Sequence, residues 1–339
     1  MRPDSVTDNG NRGLVALYAV LSGYFLILGL RIVAKYFPQH QGVLSGVPYF
    51  DYLIGLIVPV GTVLFVVFVE ITFVGYRNSS CHQLFVERED KSVGYDLLFS
   101  LCEIFRLKYW LILYLTFGLY TVASDYSNEF AGYLVAMGSQ FGTGFKLADI
   151  VLFAIVWSFF TYWNHRIQHL HPFWNLHRLH HTATELTLFT SQRNNPMMLL
   201  VDSFFRIWPF IFLLPDPKYF LTFAVCNHIY QMMVHSRRQS DWGWFGEWVL
   251  IAPAAHRIHH SDNPDHYGKN LSVLVIWDKM FGTWVKPKGQ ALTLGIREAG
   301  HNGGNIVRDI YYDVFLFLKE TFFMLTFRKP ARARVLGRP

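Results

Sequence analysis

Two short blocks, HRLHH at 177–181 and HRIHH at 256–260, constrain this chain's fold more than any other feature. Imidazoles gathered in such numbers are costly to bury unless they share a partner. The first block closes the stretch Trp163–Thr182, which also holds His165, His169 and His171. His228 and His235 lie between the blocks, and His266 follows the second. Twelve of the 15 histidines fall between positions 165 and 266, so the fold must bring these segments together.

Composition says where such a fold would live. The chain of 339 residues is 52% hydrophobic and only 16% charged, against about 25% charged in ordinary soluble domains. Its apolar residues are gathered into long runs: Leu14–Leu30, Leu53–Val74, Leu107–Ala123 and Leu147–Trp163. Each approaches the roughly 20 residues that a bilayer requires. The expected class is an all-α, polytopic membrane helical bundle. The first run follows a polar stretch and reads as a retained anchor, not a cleaved signal. Ser124–Asn128 and Gly138, Gly142 and Gly144 read as a loop before the fourth run.

Met197–Leu214 and Tyr219–Val234, joined by Pro215-Asp216-Pro217, read as a helical hairpin that returns its ends to one face. Four crossings before it put the N-terminus, the 76–106 loop and the histidine blocks on one side. Arg2, Arg12, Arg77, Arg88, Lys91 and Arg106 lie there, against Arg31, Lys35 and Lys146 opposite. That excess marks the histidine side as cytoplasmic. Ile310–Phe327 carries Asp313, Lys319 and Glu320 and reads as an interfacial helix before a basic tail. The expected organisation is one structural domain: spans and loops over 1–146, a histidine region over 147–285, and the interfacial helix and tail over 286–339.

The net charge of +6 fits an anionic lipid surface, and no basic face suited to nucleic acid is visible. Cys81, Cys102 and Cys226 are too dispersed for a CxxC motif and read as buried thiols.

Residues three and four apart share a helix face. His165 pairs with His169, His177 with His180 and His181, and His256 with His259 and His260, so each segment can aim two or three imidazoles at one point. His235 sits at the end of its helix and makes a ninth candidate. Neutral imidazole suits iron, zinc, copper or nickel. Nine ligands are too many for one ion and suit two. His228 lies two turns deeper; it reads as a tenth ligand or as a hydrogen-bonding group inside the bundle. Gln231, one turn before His235, is a candidate for orienting it. His171 breaks the helical spacing before Pro172, and His40, His82 and His301 read as ordinary hydrogen-bonding residues. Haem wants isolated axial histidines. A zinc hydrolase would normally carry a glutamate inside the motif, as in HExxH; here Glu185 and Glu247 are the nearest acids. Both stay open as alternatives.

HRIQH at 165–169, HRLHH at 177–181, His235 in VHS, HRIHH at 256–260 and the closing IWDKMFGT at 276–283 together resemble the fatty acid hydroxylase/sterol desaturase superfamily. The resemblance covers roughly residues 147–285. Many relatives carry a histidine where this chain has Asn195, before Pro196. The resemblance implies a di-iron enzyme that uses O₂ as co-substrate to hydroxylate or desaturate an unactivated C–H bond of a lipid, such as a fatty acyl chain or sterol. It implies ligand roles for His165, His169, His177, His180, His181, His235, His256, His259 and His260; zinc could occupy the same imidazoles in purified protein. No dinucleotide fingerprint or cysteine cluster is present, so electrons are expected from an external reductase with ferredoxin or a cytochrome. Arg77, Arg88 and Arg178 are candidates for its docking surface.

Overall fold

Three of the four apolar runs lie within the described residues, and they are helical. The computed structural model describes residues 48–87, 91–105, 107–136, 143–212, 217–289, 291–296 and 305–326. The helices are α1 (Pro48–Val74), α2 (Lys91–Ile104), α3 (Leu107–Leu115), α4 (Leu119–Ala136), α5 (Lys146–Gln168), α6 (Trp174–His181), α7 (Met198–Phe212), α8 (Pro217–Val234), α9 (Gly243–Trp248), α10 (Pro253–His259), α11 (Val275–Met280) and α12 (Ile306–Leu325). Among the described residues there is no strand, only isolated bridges such as Leu250 with Leu274.

Helix α5 packs on α7, which also meets α4; α8 crosses α1, α5 and α10; and α12 lies along α6. One apolar cluster joins Val66 of α1, Val93 of α2 and Met232 of α8 to Leu188 and Phe189. A second joins Ile112 of α3, Leu176 of α6, Met198 of α7 and Val314 of α12. Together they wedge α6 and the end of α8 between the longer helices.

Helix α5 spans 23 residues, about 35 Å at 1.5 Å per residue, against roughly 30 Å of hydrocarbon. Among the described residues it is the one helix both long and apolar enough to cross a bilayer, and Pro59–Val74 within α1 is a shorter apolar helix. Leu147, Val151, Leu152 and Ile155 of α5 are exposed, as are Tyr109, Trp110 and Tyr114 of α3 and Tyr126, Phe130 and Tyr133 of α4. Such contiguous apolar surface seeks a nonaqueous neighbour.

Several expectations are corrected. The run Leu107–Ala123 is not one span: α3 ends at Leu115, and the chain turns through Phe117 (φ 51°) and Gly118 (φ 81°) before α4 begins. A left-handed pair breaks the ladder however apolar the sequence is. Nine residues reach only about 14 Å, less than half the hydrocarbon thickness. The four-crossing argument for a cytoplasmic metal face therefore lacks one continuous crossing. Ser124–Asn128, expected as a loop, lies inside α4. Cys226 is exposed and Cys81 and Cys102 are half-buried, because their helices turn those faces outward. The run Leu14–Leu30 and the basic tail lie outside the described residues.

Helix α12 inverts ordinary amphipathy. Val307, Tyr311, Phe315, Leu318 and Phe322 point outward, while Asp309 and Asp313 are buried. The acids meet partners inside: Tyr95 hydroxyl donates to Asp309 at 3.5 Å, and Arg178 pairs with Asp313.

Candidate metal centre

Helix α5 delivers His165 and His169 at its C-terminal end, α6 delivers His177, His180 and His181, α8 ends one residue before His235, and α10 delivers His256, His259 and His260. All nine imidazoles are gathered, in two groups. His165, His169, His177, His181 and His259 form one group, and His180, His235, His256 and His260 the other; within each, the ligand-capable nitrogens lie within 4.8 Å of one another.

The division follows from helix geometry. Positions i and i+4 differ by about 40° around the axis, whereas i+3 falls about 60° to the other side of i. Each HxxHH block therefore splits two and one. His177 and His181 enter the first group and His180 the second; His256 and His260 enter the second and His259 the first. The blocks interlock instead of each serving one point. His181 and His260 stack where the groups adjoin, with ring centroids 4.5 Å apart.

Hydrogen bonds fix several tautomers. A carbonyl only accepts, so His165 Nδ1 donates to Leu271 at 2.7 Å, His259 Nδ1 to Lys269 at 2.8 Å and His235 Nδ1 to Gln231 at 2.6 Å. Their Nε2 atoms keep bare lone pairs, as metal-ligating rings require. His169 Nε2 and His259 Nε2 are buried with no hydrogen-bond partner. In the second group, Nε2 of His235 is 2.9 Å from that of His256 and 3.3 Å from that of His180, and Nε2 of His256 is 3.2 Å from that of His260. Around a cation at about 2.0–2.1 Å from each nitrogen, neighbouring ligands stand about 2.9–3.4 Å apart. The donor set therefore fits small transition-metal ions.

Burial keeps the imidazoles of His177, His180, His181, His256, His259 and His260 well below the ordinary histidine pKa. Burial takes His235 down to about 4, partly opposed by the Gln231 carbonyl. Neutral rings are the metal-binding form.

The segment 269–272 is the support that sequence reading missed. Asp278 accepts from the backbone amides of Leu271 and Ser272 at 2.9 Å each, from the Ser272 hydroxyl, and from Thr283 Oγ1 at 2.6 Å. Asn270, at φ 52°, donates to the carbonyls of Ala255 and Val285. Both side chains pin the turn whose carbonyls orient His165 and His259. The only sequence clue was an acid, Asp278, inside the apolar IWDKMFGT segment.

Other candidates fall elsewhere. His228 joins neither group and lines a cavity beside them. Gln231 acts on His235 through its backbone carbonyl, not its side chain. His171 is exposed and contacts Glu320 at 2.9 Å; His266 bonds Ser261 at 2.6 Å. Asn195 accepts from the Met197 amide and donates to the Ile310 carbonyl, a cap between α7 and α12. Glu185 lies 3.9 Å from Arg257 and Glu247 pairs with Lys286, so neither acid enters the groups. Arg178, expected on a docking surface, is buried against Asp313. Arg77 is exposed, and Arg88 lies outside the described residues.

A cavity of about 590 Å³ reaches both groups, with His165, His177, His180, His235 and His256 in its wall. Trp157, Phe160, Phe205 and Phe223 supply apolar wall, and Asn164, Gln168 and Asp202 supply polar wall. Asp202 Oδ1 accepts from Asn164 at 2.9 Å and Gln168 at 3.0 Å, tying α7 to the last turns of α5.

Comparison with known proteins matches residues 150–283 to the Fatty acid hydroxylase family model. Alkylglycerol monooxygenase of Xenopus tropicalis is 35% identical over 137 residues, 40% of this chain and 30% of that protein. The human alkylglycerol monooxygenase is 32% identical over 129 residues, 38% of this chain and 28% of that protein. Ornithine lipid hydroxylase OlsE of Rhizobium tropici is 28% identical over 148 residues, 41% of this chain and 42% of that protein. The chain thus matches less than half the length of each. No solved structure matches.

Proposed function

We propose that this chain, a member of the fatty acid hydroxylase superfamily through residues 150–283, is a membrane-bound di-iron monooxygenase that hydroxylates a lipid. The observation that carries the reading is the pair of adjoining histidine groups, five and four rings, opening on one partly apolar cavity. Hydroxylation is favoured over desaturation because the relatives are named monooxygenase and hydroxylase.

His165, His169, His177, His181 and His259 would hold one ion, and His180, His235, His256 and His260 the other. Bound iron would supply the oxidising power that side chains lack. The balance is R–H + O₂ + 2e⁻ + 2H⁺ → R–OH + H₂O, with the electrons drawn from an external reductase chain. The protein's own part is positioning. The Leu271, Lys269 and Gln231 carbonyls fix ring orientation, and Trp157, Phe160 and Phe223 offer an acyl chain a wall. Helix α5 crosses the bilayer in this reading, with the exposed faces of α3, α4 and α12 against lipid. Exposed Arg77 is a candidate for donor docking.

Iron-loaded protein in detergent, given a lipid, a reductant and ¹⁸O₂, is expected to place one ¹⁸O atom in the product, and His256→Ala to abolish it. Turnover of a lipid ester without O₂ would replace this reading with a hydrolase.

A further inference from the structure

Beyond the histidines, the cavity wall includes a polar group, half of it from outside the matched region. Glu103 lies in the last turn of α2, Lys108 in the first turn of α3, and Asn227 and His228 on α8. His228 precedes His235 by seven residues of continuous helix, about 10 Å along its axis. His228 therefore stands about two helical turns from the metal groups.

We propose that Glu103, Asn227 and His228, braced by Lys108, form a headgroup subsite for a lipid whose head donates hydrogen bonds and carries no net negative charge, a polyol or an amine. This rests on the lipid-oxygenase reading for the nature of the ligand. Lys108 is already committed: its ammonium donates to the Gln192 carbonyl at 2.5 Å and lies 3.2 Å from Glu103 Oε2. Its side chain is 8% exposed, whereas that of Glu103 is 46% exposed. The ion pair thus turns its acidic member toward an entering ligand. Among the described residues, Asp202 is the other acid of the wall and Lys108 its only lysine or arginine. At the subsite itself the ammonium is engaged and turned inward, and the exposed Glu103 carboxylate disfavours a phosphate or a free carboxylate beside it. It accepts from hydroxyl or ammonium protons, while Asn227 offers an amide.

The subsite acts as a ruler. A head held near His228 and a chain laid along Trp157 and Phe223 leave a fixed stretch of the lipid beneath His180 and His235. Position of oxidation is then counted from the headgroup, and chain length alone does not shift it.

The test reads binding, so that it stands apart from turnover. Metal-loaded full chain in detergent is titrated with three brominated single-chain probes of equal length: a monoacylglycerol, the free fatty acid and the lysophosphatidic acid. Quenching of tryptophan fluorescence is followed, and Trp157→Phe identifies the cavity signal. The monoacylglycerol is expected to bind at least about tenfold more tightly than either anion. Glu103→Gln is expected to weaken monoacylglycerol about tenfold, and Glu103→Lys to reverse the ranking in favour of the anions. Should the Glu103 variants fail to retain metal, His228→Leu decides, with an expected loss of monoacylglycerol binding at unchanged metal content. Equal binding of all three probes, or a ranking unmoved by these variants, overturns the subsite. The expected ranking without ¹⁸O incorporation upholds the subsite and removes the oxygenase reading; incorporation without the ranking removes the subsite alone.

Discussion

Arg178 and Asp313 lie 135 residues apart and meet as a buried ion pair, Nε to Oδ1 at 2.6 Å. Arg178 is the second residue of the HRLHH block, so this contact fastens the block to α12. The same helix reaches α6 again through Glu320, which accepts from Asn175 at 2.8 Å. Removing one partner of a buried pair strands the other charge, at about 3–5 kcal/mol. Asp313→Ala is therefore expected to lower the thermal midpoint strongly and to release metal. Asp313→Asn, which keeps an acceptor, is expected to lose less. An unchanged midpoint in Asp313→Ala would show that α12 does not brace the block.

Asp278 gives a milder and more selective prediction. It touches no histidine, yet it holds the turn whose Leu271 carbonyl orients His165. Loss of such outer support typically costs 10–100-fold in metal affinity. Asp278→Asn is expected to weaken metal in the His165 group within about that range. Chelator competition measures it, and an affinity equal to wild type would contradict the assignment.

Acid sensitivity follows from the buried rings. In chelator-treated protein the buried rings of His177, His180, His181, His256, His259 and His260 hold folded pKa values below the unfolded value of about 6.5, with His235 near 4. The unfolded chain then binds more protons than the folded one between those values. The stability contribution is full above about pH 6.5 and is lost as pH falls toward 4. The metal-free thermal midpoint is expected to drop between pH 7 and pH 5, and metal-loaded protein to resist until protons displace the ions. A flat metal-free profile across that window would contradict the burial of neutral rings.

Gly246 supplies a control remote from the chemistry. A Cβ there would stand 1.8 Å from the Asp241 carbonyl oxygen, which is backbone and cannot swing aside. Gly246→Ala is expected to unfold the α9 corner and lower yield. A variant with wild-type yield and midpoint would show that this corner yields freely.

The histidines were legible in the sequence because their density has few other uses in an apolar chain; helical spacing named eight of the nine rings that gather, and its place at a helix end named His235. Their partition was harder to read. Sequence showed that His177, His180 and His181 share a face, but which distant rings complete each side, His165, His169 and His259 or His235, His256 and His260, is set by the other helices. The Arg178–Asp313 pair was hidden by sequence separation, and Arg178 looked like surface charge. The break at Phe117 and Gly118 was masked because hydropathy sums over residues and does not see φ. The carbonyls of Lys269 and Leu271 carry no side-chain signature; only Asp278 hinted at them.

The central claim is two metal positions, each served by its own histidine group. Metal content per chain, measured by elemental analysis on detergent-purified wild type, His169→Ala and His235→Ala, tests it most directly. The account predicts about two ions in the wild type, with His169→Ala depleting the position shared with His259 and His235→Ala the one shared with His256. One ion or none in the wild type, or content unmoved by both substitutions, would contradict it.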